Sequence, residues 1–306
     1  MDALLETMAL VLAKKKRILV NTMSYDKKEI QHFILTRFNL LIFNKNKEGE
    51  KVRTIEWLEH RFELFEKYCL PSVKNQTCKN FEWIVLFDSS TPESFKCKVE
   101  EYQKICPQLI PVYVKPEHGR YYAQIFRNEI VKRLNARRLL TTYLDNDDAL
   151  NITIIEDLQR RILDIEDQTF IYYDDGYQFF TDYKYMMRIH YPRNHFDSYV
   201  EVGNPATVKS VFGFGGHYYV YKIKGARIEH IKNVRMWCEV IHEKNVGNDA
   251  YFLGAKMVRD RDRMKNDFAV DVTVRYGPGI YFFKFLPRYA RTFVVRVKHR
   301  LFGWEV

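Results

Sequence analysis

Several things are missing from this 306-residue sequence. No run of about 18 apolar residues occurs, so nothing in it reads as a membrane-spanning helix. No C-x-x-C pair occurs, and the cysteines are odd in number: Cys69, Cys78, Cys97, Cys106 and Cys238. That excludes a disulfide framework and a cysteine zinc site, and fits reduced thiols in the cytoplasm. Internal repeats and low-complexity segments are absent. The apolar run at 8–13 precedes the basic cluster at 14–17, the wrong order for a secretory signal. Acid is scarce: 39 Asp+Glu against 49 Lys+Arg leave a formal charge of +10. A surplus of that size points to an anionic partner: nucleic acid, a phosphate-bearing substrate or a membrane surface.

What is present is globular, with 46% hydrophobic and 29% charged residues. The length suits one large domain or two ordinary ones. Apolar runs predict strands at 33–40, 81–88, 109–114, 139–144 and from 170, with a further one near 18–20. Helical spacing predicts helices at 57–69 (closed by Pro71), from 91 (Thr91 as N-cap, Pro92 at N1), at 120–134 and at 152–165. Such alternation is the signature of a mostly parallel sheet covered on both faces. Ligands of these sheets lie beyond the carboxyl ends of the strands, where Asp88 and Asp145 fall. From 183 the pattern becomes richer in strand, with 183–192 and 217–224 read as extended. Helix returns near 248–266 and in the tail.

The segment LLTTYLDNDDAL (139–150) drives a buried strand into Asp145, Asp147 and Asp148. Carboxylates this close repel unless a cation or donor lies between them. A surface turn tolerates them; a metal ion uses them. On an extended chain Asp145 and Asp147, two apart, share a face, and Asp148 points elsewhere. Mg²⁺ or Mn²⁺, with their preference for oxygen ligands, suit such a pair.

Three ordered blocks resemble family 2 glycosyltransferases. LPSVKNQTCKNFEWIVLFDSSTPE (70–93) resembles their early helix–strand segment, YYAQIFRNEIVKRLNARRLLTTYLDNDDAL (121–150) their helix and D-x-D strand, and TRFNL (36–40) their first strand. With MWCEVIHEKNVGN (236–248), the chain most resembles the rhamnosyltransferases of bacterial polysaccharide loci. It departs from the common pattern in a longer insert between Asn39 and Trp57, and in FDSS where DDGS is usual, which leaves the base specificity open.

The resemblance implies a GT-A fold, α/β with a mostly parallel central sheet and a β-richer acceptor side. It divides the chain into a 1–30 extension, a nucleotide-sugar half at 31–180, an acceptor half of the same domain at 181–270 and a basic aromatic tail at 271–306. The implied activity is metal-dependent, inverting transfer of a sugar from a nucleotide-diphosphate donor to a saccharide or lipid-linked saccharide. Asp145, Asp147 and His242 would hold the divalent metal, with His217 the competing histidine. Arg37, Asn39, Asp88, Arg127, Asn128 and Asp145 would face the donor, and Asp148 the sugar or a backbone donor.

Glu239, sharing a helical face with His242, is the expected base. Asp249 and the pair Asp174/Asp175 are its rivals. The glycine-rich 211–216 reads as an acceptor loop or an ordinary turn. The tail at 281–306 mixes aromatics with Lys and Arg, as a segment lying on an anionic membrane would, or as a terminal helix docked on the core. Two rival classes are a nucleic-acid-binding protein, for which no RRM, KH or zinc-finger signature is found, and a metal-dependent nucleotidyltransferase, whose Gly-rich phosphate loop TRFNL lacks.

Overall fold

A computed structural model describes residues 29–42, 54–242 and 254–302. One ten-stranded sheet organises them. Its first half is parallel. Strand β1 (Ile30–Arg37) lies between β2 (Glu82–Asp88) and β4 (Arg138–Tyr143), and β3 (Leu109–Val114) extends the sheet beyond β2. These strands are apolar on both faces, as parallel strands must be when helices cover both sides. Ile34, Val85 and Leu140 face helix α1, which begins at Ile55–Leu64, helix α2 (Glu93–Ile105) and helix α4 (Ile154–Arg161). Phe33, Leu35, Ile84 and Leu139 face helix α3 (Tyr122–Arg133) through Phe126 and Ile130.

The second half is mostly antiparallel. After the two-residue β5 (Ala149–Leu150), the chain returns in β6 (Thr169–Phe180), β7 (Tyr185–His190), β8 (Ser198–Val202), β9 (Arg227–Ile241) and β10 (Lys256–Met257). Strand β8 joins the halves, pairing antiparallel with both β4 and β6. Along its other edge β6 carries β9 in parallel, and β9 also pairs with β5 directly behind the acidic segment. Beyond these strands lie the short helix α5 (Arg263–Phe268) and the tail helix α6 (Leu286–Phe302). The tail helix is held to the core by Phe285, just before it, and by Arg288, which donates to the Tyr185 hydroxyl at 2.7 Å.

Four sequence expectations are corrected. Pro71 does not close the first helix, which widens into a π turn at Phe65–Cys69 and runs on through Leu70–Lys74. A π turn shifts the hydrogen-bond ladder locally, and Pro71 falls in the turn that follows it, where its missing N–H is tolerated. The stretch at 217–224 is not a strand: Gly215 and Gly216, at φ 81° and 104°, turn the chain into a short helix, His217–Val220. Residues 227–241 form the longest strand of the sheet, so Glu239 and His242 do not share a helical face. Of the helix expected at 248–266, only Arg263–Phe268 is helical among the described residues. The strand expected near 18–20 lies outside them.

Two features give tests of this packing. Trp237 is fully buried, stacks on Phe196 at 4.8 Å and donates Nε1–H to the Tyr173 carbonyl at 2.8 Å. A Cβ on Gly176 would lie 2.3 Å from its ring. The ring has nowhere to move, so Gly176→Ala should cost more than about 2 kcal/mol, read as a lower midpoint of denaturant unfolding.

His32 is buried beside Thr142, with Nε2 2.8 Å from Oγ1, and burial pushes its pKa down to about 3. The unfolded chain therefore binds a proton that the native imidazole refuses between pH 6.5 and about 3. Stability is fully present above that window and falls by about 1.4 kcal/mol per pH unit inside it. His32→Gln, whose amide can still reach Thr142, should flatten the acid limb of a stability-versus-pH curve. An unchanged slope would exclude His32 as its source.

Candidate active site

Strand β4 ends at Tyr143, and the acidic segment that follows is a turn. The Asp148 amide donates to the Asp145 carbonyl at 3.4 Å. The turn therefore brings Asp145 next to Asp148, three residues on, where an extended chain would have put it on the face of Asp147. Asp145 is half-buried. It accepts from the Tyr143 hydroxyl at 2.5 Å, and Arg37 at the end of β1 lies 3.7 Å away. Arg37 donates to the same hydroxyl at 2.5 Å and lies over the rings of Tyr122, Tyr143 and Phe212. Burial opposes its charge, but Tyr143 and Asp145 outweigh that and raise its pKa further.

Asp148 is fully buried. One oxygen accepts from the Val240 amide of β9 at 2.8 Å; the other lies 2.8 Å from Nε2 of His195. Burial, reinforced by Asp147 and Glu239, pushes the Asp148 carboxyl up against the pull of His195. Burial pulls the imidazole down, but the bond and charge of Asp148 outweigh it and carry His195 upward. Each member of the pair is thus drawn towards its protonated form.

Asp147 takes a different direction. Its Oδ2 accepts from Arg61 of α1 at 2.7 Å and lies 3.0 Å from Nε2 of His242. Burial opposes its charge, yet Arg61 and His242 hold its carboxyl well below the usual carboxylate range. Asn146 donates to the Phe38 carbonyl at 3.1 Å, tying the turn to the end of β1. Glu239 of β9 accepts from Gln178 of β6 at 2.6 Å. Burial, with Asp147 and Asp145 nearby, raises its pKa. Glu239 and His242 thus reach the acidic turn from a strand and its exit.

Three metal-type donors gather in one place: Asp145, Asp148 and His195, with their ligand atoms within 4.8 Å of one another. Two bonds of about 2.1 Å across a single ion span about 4.2 Å, so the group needs little closure. Two carboxylates and one imidazole could hold a divalent metal ion. The donor set expected from sequence, Asp145, Asp147 and His242, shares only Asp145 with this group. Asp147 and His242 do meet, but Arg61 occupies the same carboxylate oxygen. His195 was not foreseen. It lies in the loop before β8, 47 residues from Asp148, and no local motif marks it.

The other expected residues are placed as follows. Asp88 is buried at the exit of β2, where its Oδ1 accepts from the amide and hydroxyl of Ser90 at 2.8 and 2.5 Å. Asn39 braces the same turn, accepting from the Asp88 amide and donating to Thr91. Thr91 does not cap α2, since its hydroxyl donates back to the Asp88 carbonyl at 2.6 Å. Arg127 donates to the carbonyls of Val208 and Pro205, both at 2.9 Å, and Asn128 accepts from Gln124 on its own helix.

Among the rivals to Glu239, Asp174 pairs with His230 and Asp175 with His190 and the Asn233 amide. Asp249 lies outside the described residues. The 211–216 segment packs on the sheet: Val211 donates to Thr141, and Phe212 stacks on Phe126 at 5.0 Å. His217 follows this segment, its ring 6.0 Å from that of His195.

A parallel α/β half, an antiparallel second wall and a carboxylate–imidazole cluster at the carboxyl end of β4 define the GT-A-like class. Residues 31–249 match the family described as "Putative rhamnosyl transferase", and the chain belongs to that family. A search of curated proteins gives no match. Among solved structures, S. aureus TarS 1–349 in complex with UDP is similar at 13% identity and a TM-score of 0.37, covering 70% of this chain and 60% of that one. A second S. aureus TarS structure is similar at 12% and 0.38, covering 70% and 37%. The chain thus matches less than two thirds of the length of either, and likenesses this distant identify neither donor nor acceptor.

The Arg61–Asp147 pair generates one prediction. Removing the guanidinium leaves the buried Asp147 carboxylate with His242 alone, so Arg61→Met should lower stability by about 3 kcal/mol. The double variant Arg61→Met/Asp147→Asn should recover much of the loss. A denaturation series on the three proteins measures this; equal losses would mean that the ion pair does not set the cost.

Proposed function

We propose that the chain transfers a sugar, rhamnosyl by the family's description, from a nucleoside-diphosphate donor to a saccharide or lipid-linked saccharide. The observation that carries this reading is the Asp145–Asp148–His195 group at the rim of the parallel half, in a chain of this family. These three residues would hold Mn²⁺ or Mg²⁺, which supplies neutralisation of the negative charge on a departing diphosphate. Arg37 fixes the orientation of Asp145 through Tyr143, and Arg61 keeps Asp147 ionised. Both arginines also set fixed positive charge beside the site, where diphosphate oxygens would accept from them.

Glu239 is the group we assign to accept the acceptor's hydroxyl proton in an inverting transfer. It comes from the second half of the sheet, Gln178 orients it at 2.6 Å, and its raised pKa favours taking up a proton. Asp88 and Asn39 are assigned to shape the nucleoside end of the site through the turn after β2. We assign Arg127 a supporting part, through the 205–208 backbone that it holds.

The test is thermal unfolding with a panel of nucleoside-diphosphate sugars, each with and without Mn²⁺. A bound donor at a hundred times its Kd should add about 2.7 kcal/mol. Asp145→Asn should remove the metal-dependent part while leaving the unliganded melting temperature within a few degrees. If no nucleotide sugar stabilises the wild type in the presence of metal, the proposal fails.

A further inference from the structure

Far along the sheet from the acidic turn, at the β7–β10 edge, lies a cavity of about 560 Å³. Arg188 and Lys256 line it, and they are directly opposed across the β7–β10 pair. Like charges directly opposite each other destabilise a strand pair. Arg259 adds a third cation, stacked over Tyr276 at 5.2 Å. Among the described residues none of the three has a carboxylate partner. The acid in the wall, Asp260, is already bonded to Arg263 at 2.9 Å. Three exposed cations thus line one cavity.

The same cavity is closed on another side by Tyr281 and Phe285, at the base of the tail helix α6. The tail turns Phe285 and Arg288 to the core and leaves apolar residues outside. Leu286, Phe293, Val294 and Val297 are exposed at i, i+7, i+8 and i+11, a spacing that follows one helical face. Phe282 and Phe283 continue the exposure just before it, at 58% and 79%. From Val272 to Phe302 the sequence holds no acidic residue, while Lys284, Arg288, Arg291, Arg296, Lys298 and Arg300 are all basic. A second copy of this chain would bring like charge against like. An anionic surface with an apolar layer beneath it complements both features.

We infer that the β7–β10 cavity binds the phosphate headgroup of an anionic lipid, and that the outward face of the tail helix rests in the acyl boundary of the same bilayer. The arrangement is peripheral: no helix among the described residues is long and apolar enough to cross a membrane. Each cation near an anionic leaflet contributes roughly fivefold to partitioning. The inference is independent of the transfer reaction and is tested without it.

The experiment is co-sedimentation of the full chain with vesicles of phosphatidylcholine alone and with added phosphatidylglycerol. The wild type should bind the anionic vesicles and leave the neutral ones largely free. The triple variant Arg188→Gln/Lys256→Gln/Arg259→Gln should lose at least about tenfold in partitioning, and Phe283→Ser/Phe293→Ser should weaken binding to both compositions. All five side chains are exposed, so both variants should melt with the wild type.

Equal binding to neutral and anionic vesicles, or a triple variant that binds as the wild type does, overturns the inference. So does stabilisation by inorganic phosphate without vesicle binding, which would make the cavity a site for a free anion. A dimer in sedimentation velocity that the phenylalanine substitutions dissolve, again without vesicle binding, would assign the face to a second copy instead.

Discussion

The structure around the acidic turn depends on holding four carboxylates together without letting them repel one another apart. Asp147, Asp148 and Glu239 are buried and Asp145 half-buried, and unpaired buried charge is among the costliest features a fold can carry. Each therefore has its own donor from a different element. Asp145 has the Tyr143 hydroxyl of β4, Asp147 has Arg61 of α1, Asp148 has His195 and the Val240 amide, and Glu239 has Gln178 of β6. Helix α1, the loop before β8 and strand β9 are all required to complete the set. Local chemistry at the turn thereby fixes the relative positions of both halves of the sheet.

This explains the long strand β9. Its pairing with β6 spans the antiparallel half, and its pairing with β5 brings the chain back to within two residues of the acidic turn. The Val240 amide can then donate into the cluster, and Glu239 and His242 can approach it. The packing behind supports the approach. Gly176 offers no side chain where the Trp237 ring lies, so β6 and β9 come together at that point with the indole filling the space.

Much of the first half was legible in the sequence, and much of the second was not. The parallel strands announce themselves because each is apolar on both faces, as 82–88 and 138–143 are. The acidic turn stood out because three carboxylates directly follow such a strand. Strand β9 was hidden because it is exposed at its start and buried only at its end. In WCEVIHEKN the spacing of Glu239 and His242 therefore passed for helical. The pairing of Asp145 with Asp148 was hidden because it depends on the chain turning, a property of backbone dihedrals that an i, i+2 count cannot register. His195 was invisible for a plainer reason: a histidine between Asn194 and Phe196 carries no local signal, and only tertiary pairing brings it to Asp148.

The cluster also bears on how such a site meets a ligand. Every carboxylate in it is already satisfied by protein, so its geometry is set before anything binds and need not be ordered afterwards. The donors differ in kind. Arg61 and Arg37 remain charged under all ordinary conditions and offer no lone pair, whereas an imidazole such as His195 has a ring nitrogen that could serve as a ligand. The arginines therefore suit scaffolding, and the exchangeable partner is the imidazole beside Asp148. Asp145, Asp148 and that imidazole have their ligand atoms within 4.8 Å of one another. The division between fixed and exchangeable partners separates the residues that hold the turn in shape from those with coordination to offer.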